Sequence, residues 1–110
     1  MSPVLVYITA SNREEALSIS NLLLERRLVA CANLYEGVTS LYWWQGAIER
    51  DSEVTLVAKS VAALVPKLVE AVKSVHSYDC PCVVAVPITG GNQEFLDWIA
   101  AATHQKILPG

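Results

Sequence analysis

The spacing of hydrophobic and polar positions changes period several times along the chain. Residues 3–10, PVLVYITA, form a continuous β-branched run, the pattern of a strand covered on both faces. SNRE at 11–14 then fits a capping box, with the side chains of Ser11 and Glu14 satisfying free backbone N–H groups. The helix it opens carries Ala16, Ile19 and Leu23 at helical spacing and is expected to end near Leu28. A second strand is predicted over 29–35, Glu36 and Gly37 mark a kink or bulge, and the strand resumes as VTSLYWW at 38–44. Gln45-Gly46 reads as a tight turn, with Gly46 supplying a positive φ. The return arm, 47–59, places Glu49, Asp51 and Glu53 on one solvated face. Val61, Leu64, Val65, Leu68, Val72 and Val75 then recur at three and four residues, which predicts an amphipathic helix with Pro66 in its first turn. A further strand is predicted over 82–89, a turn at Gly90-Gly91, and a short helix capped by Asn92 with Phe95, Trp98, Ile99 and Ala102 along one side. The tail THQKILPG fits no single pattern.

The order is βαββαβ followed by a helix, within one domain, residues 1–110. Two right-handed βαβ units joined by a central hairpin give an α+β, ferredoxin-like (split βαβ) plait. The hairpin is the anomaly. Its arms run to about 13–16 residues, or roughly 45–55 Å, so they must project beyond the sheet that holds the shorter strands. Projection leaves unpaired edges and the aromatic residues Tyr42, Trp43 and Trp44 in need of cover, and a second copy of the chain is the simplest cover. These three residues are the candidate subunit interface.

Composition narrows the function classes. The chain is 53% hydrophobic and 17% charged, which excludes disorder. No apolar run reaches the roughly 18 residues of a membrane span, and the opening MSPVLVYITA reads as a strand, not a leader. Net charge is −3 without a Lys/Arg cluster, which argues against a nucleic-acid partner, including RNA on a plait. Three cysteines cannot all pair within one chain, so a reducing, cytoplasmic setting is expected.

Four stretches, RRLVACANL, SLYWWQGAIERDSE, VHSYDCP and GGNQEFLDWI, resemble the divalent-cation tolerance family, CutA, in order and over nearly the whole chain. The Ser-x-Tyr-x-Trp-x-Gly stretch, Ser40 to Gly46, is the most specific of these features. The resemblance implies a homotrimer of PII-like architecture whose long hairpins pair between subunits, and a role in tolerance of divalent metals such as copper. It also places Cys31 at the family's characteristic cysteine, Lys59 at the end of the return strand, and His76 and Tyr78 in its His-Pro-Tyr motif. Three departures stand out. Ser77 replaces the proline, Cys82 replaces a glutamate, and Ile8 stands where some members carry a first-strand cysteine tied to copper.

The chemistry concentrates in HSYDCPC, residues 76–82. Pro81 keeps Cys80 extended, so the thiols of Cys80 and Cys82 fall on one face, too far apart for an easy disulfide but able to share one metal ion. With His76 they form the candidate metal ligands, a donor set suited to copper(I) or zinc. The bland reading is a connector in which His76 caps the helix end beside Tyr78. Cys31, Lys59 and Tyr78 are the candidate lining of a ligand cleft, although Cys31 alone reads as a small buried hydrophobe with no basic neighbour in sequence to activate it. The functional expectation is a non-enzymatic homotrimer binding copper or another divalent metal. The alternatives are a thiol enzyme using Cys80 or Cys82 with His76 as base, which lacks a residue to orient the histidine, and a PII-like small-ligand sensor.

Overall fold

The computed structural model describes residues 2–105. Strand β1 (Pro3–Ala10) leads into helix α1 (Arg13–Glu25), and the hairpin follows as β2 (Cys31–Trp44) and β3 (Ala47–Val61). One 3₁₀ turn (Ala62–Leu64) opens helix α2 (Val65–Val75), followed by β4 (Val83–Pro87) and helix α3 (Gln93–Ala102). The sheet order is β2-β3-β1-β4 with every neighbouring pair antiparallel, the ferredoxin-like plait predicted from the element order. No helix among the described residues is long and apolar enough to cross a membrane.

Alternation along the strands sorts side chains onto two faces. Val4, Val6, Ile8 and Ala10 of β1 and Val54, Leu56 and Ala58 of β3 are buried, packed with Ile19 and Leu23 of α1, Leu68 and Val72 of α2, and Ile99 of α3. The opposite face carries Tyr7, Val84 and Val86, all exposed. A sheet with helices on one side only thus presents its second face to solvent.

The hairpin is continuous from Cys31 to Val61 apart from one bulge and its turn. Two residues, Glu36 and Gly37, interrupt the ladder between Tyr35 and Val38, and Gly37 takes φ +71°. Both turn residues have positive φ, Gln45 at 48° and Gly46 at 81°, the signature of a type I′ turn. Beyond the bulge the arm leaves the helices behind. Leu41, Trp43 and Ile48 lie on one of its faces, and Tyr42 and Trp44 lie on the other with Glu49, Asp51 and Glu53. Trp43 is 73% exposed and Leu41 68%, values far outside those of a packed core.

Several boundaries differ from the sequence expectation, each for a local reason. Asn12, not Ser11, caps α1, accepting from the N–H of Glu15; Glu15, not Glu14, reaches back to the backbone N–H and hydroxyl of Ser11. Only half of the expected capping box forms, one residue later: the N-cap bond is made, while the Glu15 carboxylate turns to Ser11 and not to the N-cap N–H. Helix α1 stops at Glu25 in a Schellman motif, with Leu28 N–H bonded to Leu23 O and Arg27 N–H to Leu24 O. Arg27 occupies the left-handed position at φ 53°, where glycine is usual. Strand β3 extends to Val61, which therefore leaves the α2 stripe, while Val75 is exposed. On α3, Asn92 caps as expected and Ile99 is buried, but Phe95 and Trp98 are exposed, their rings in tilted contact. Of the unassigned tail, the stretch 106–110 lies outside the described residues.

Candidate functional site

Helix α2 ends as His76 turns to extended backbone, φ −80° and ψ 144°, and the chain reaches β4 through 77–82. The imidazole of His76 is buried completely. Its Nε2 lies 2.7 Å from the carbonyl oxygen of Thr9, and its Nδ1 lies 3.0 Å from the backbone N of Tyr78. A carbonyl can only accept and an N–H can only donate, so these partners assign the neutral Nε2–H tautomer. Both ring nitrogens are occupied. The ring packs against that of Tyr78, with centroids 4.6 Å apart.

Around this hub runs a polar chain that ties the connector to the rest of the fold. Glu15 accepts from the N–H and hydroxyl of Ser11 and, at 2.9 Å, from the N–H of Ser77; its carboxylate is 3.8 Å from His76 Nδ1. Burial pushes the Glu15 carboxyl up, but the hydrogen bonds from Ser11 and Ser77 outweigh it and hold the pKa near 2. On the other side, Tyr78 donates to Glu53 at 2.7 Å, linking the connector to β3. Burial and then the Glu53 carboxylate push the Tyr78 phenol well above its ordinary range. Farther out, Tyr42 donates to Asp51, and this bond lifts the exposed phenol to about 12.

The thiols of Cys80 and Cys82 are free, and both residues are exposed. Desolvation, followed by the Glu53 carboxylate, raises the Cys82 thiol pKa, which opposes thiolate formation. Among the described residues no three His, Cys, Asp or Glu side chains converge as a metal centre. The expected trio of His76, Cys80 and Cys82 therefore does not form a closed site within one chain, because His76 has turned inward. A complete ligand set would need donors from outside the chain, and the soft donors this segment offers are its two thiols.

The cleft residues separate in the same way. Tyr78 joins the Glu53 network, whereas Cys31 and Lys59 face each other across the β2/β3 ladder. Lys59 Nζ lies 3.8 Å from Cys31 Sγ and 3.4 Å from Asn33 Oδ1, and 5.9 Å from the centre of the Phe95 ring. The basic neighbour missing from the local sequence is thus supplied across the sheet. Sequence reasoning also passed over Glu15 and the Thr9 carbonyl. The equal capping strength of Asn12 and Ser11 was the available signal for Glu15; the Thr9 contact has no local signal.

The model of a known family, CutA1 divalent ion tolerance protein, matches residues 4–102. The chain belongs to this family. It is 45% identical over 98 residues to the divalent-cation tolerance protein CutA of Thermus thermophilus, covering 89% of this chain and 95% of that protein. It is 37% identical over 103 residues to the chloroplastic CutA 1 protein of Oryza sativa, covering 94% of this chain but only 58% of the rice protein's length. The crystal structure of CutA1 from Oryza sativa superposes with a TM-score of 0.92 at 36% identity, covering 96% of this chain and 97% of that one. At that likeness the ferredoxin-like plait is shared with the rice structure.

Proposed function

We propose that this chain is a homotrimeric, non-enzymatic cation-tolerance protein that takes copper, or another divalent or soft metal ion, as cargo at surface thiols. Membership of the divalent ion tolerance family supports the role. The observation that carries the assembly is the bare apolar arm, with Leu41, Trp43, Trp44 and Ile48 all exposed in the single chain. Burying a large apolar side chain contributes about 1.5–3 kcal/mol, so four of them per subunit are comparable with the cost of association, about 4–15 kcal/mol. Three-fold closure of such arms also removes the open edges that would otherwise recruit further strands, as in PII-like trimers. Cys80 and Cys82 supply soft, accessible donors, and three unpaired thiols fit a reducing, cytoplasmic setting.

A thiol enzyme is disfavoured by the same geometry. His76 has both nitrogens committed to the backbone, and the Cys82 thiol is shifted away from the thiolate. A small-ligand sensor has one observation in its favour: Lys59 has no carboxylate partner among the described residues and stands with Cys31 and Asn33. Light scattering tests the assembly. The wild type should run as a trimer of the 12.0 kDa chain at micromolar concentration. Trp44→Ala should weaken association by at least ~2 kcal/mol if the indole is an interface anchor. A well-folded wild-type monomer would refute the reading.

A further inference from the structure

We propose that Lys59 captures oxidised Cys31 as a covalent nitrogen–sulfur bridge between β2 and β3. The pair is built for it by the ladder: the two residues are directly opposed, with Nζ 3.8 Å from Sγ. Asn33 on β2 and the Phe95 ring on α3 hold the lysine head group over the thiol. Among the described residues no carboxylate competes for that head group. Cys31 is half-buried, whereas Cys80 and Cys82 are exposed.

The chemistry needs one co-reactant, hydrogen peroxide. In the first step the Cys31 sulfur attacks peroxide; the O–O bond breaks, an S–O bond forms, and sulfenic acid and water result. Sulfur is oxidised by two electrons and peroxide is reduced. In the second step Lys59, having given its extra proton to water, attacks the same sulfur through the Nζ lone pair. The N–S bond forms as the S–O bond breaks, Nζ gives up one of its two remaining protons, and the hydroxyl leaves with it as water. No further oxidant is consumed, as when a sulfenic acid condenses with a backbone nitrogen. Two equivalents of a reducing thiol reverse the bridge, returning thiol and amine and leaving one disulfide. The bridge shields Cys31 from irreversible oxidation to sulfinic acid and pins the root of the hairpin.

The test is high-resolution mass spectrometry of the full chain, reduced and then exposed to hydrogen peroxide. The expected product is a cross-linked pair of peptides holding Cys31 and Lys59, lighter than their sum by two hydrogen atoms and cleaved by dithiothreitol. Lys59→Arg keeps the charge but loses the cross-link, and its Cys31 runs on to sulfinic acid. A variant with Cys80→Ser and Cys82→Ser retains the cross-link. The proposal is overturned if wild-type Cys31 reaches sulfinic acid as readily as in Lys59→Arg with no cross-linked pair, or if the sulfur is found joined to another residue.

Discussion

Replacing Glu15 by glutamine should show how strongly the connector depends on one carboxylate. In the wild type that group accepts three hydrogen bonds, two from Ser11 and one from Ser77, and its side chain is only 12% exposed. Its pKa falls from 4.5 to about 2 on folding. At about 1.36 kcal/mol per unit, the ionised form favours the native state by roughly 3 kcal/mol. The sign follows from the depressed pKa. The increment is fully present above about pH 5 and is lost as pH falls toward 2. Glutamine has the same shape but lacks the charge and one acceptor, so Glu15→Gln should destabilise by about 2–3 kcal/mol at pH 7. Urea unfolding of both proteins at one protomer concentration, at pH 7 and near pH 3, reads this directly. The gap should shrink markedly at the lower pH as the wild type loses its advantage. A gap below about 0.5 kcal/mol at pH 7, or one that does not change with pH, would show that the Glu15 carboxylate does not hold the connector.

Two further substitutions probe the hairpin and the connector. Gln45→Asn should stabilise by about 0.5 kcal/mol, because Gln45 holds a left-handed φ that asparagine adopts more readily, and thermal unfolding should show a higher Tm. Tyr78→Phe should cost about 1 kcal/mol near neutral pH by removing the bond to Glu53. Because folding raises the Tyr78 pKa, that wild-type increment is present below about pH 10 and fades above it. Denaturant midpoints for wild type and Tyr78→Phe should therefore converge at high pH, and parallel profiles would show that the phenol is not held as described.

What the chain revealed in advance was mostly local. The β-branched run of β1, the three-and-four spacing of α2 and the glycines at 37 and 46 each fix backbone geometry within a few residues, and the plait follows from their order. Boundaries failed where two residues compete for one role, as Ser11 and Asn12 do, or where an expected marker is absent, as with Arg27 in a position usually held by glycine. The site failed for a different reason. The partners of His76 include Thr9, from the far end of the chain, and Tyr78 finds Glu53 across the fold. No periodicity encodes such contacts. Cys31 and Lys59 form an intermediate case. A ladder counted back from the Gln45–Gly46 turn without the bulge would set Cys31 opposite Ser60; the bulge residue moves it opposite Lys59.

Native mass spectrometry of the reduced protein with copper(I), under anaerobic conditions, reads assembly and metal binding in one spectrum. A trimer that carries copper is expected, with affinity rising as pH rises and the thiols deprotonate. A Cys80→Ser, Cys82→Ser double variant should remain trimeric and lose the metal, while His76→Gln should keep it, since neither imidazole nitrogen is free to bind. A monomeric wild type, or a double variant that holds copper as tightly as the wild type, would contradict the proposed function.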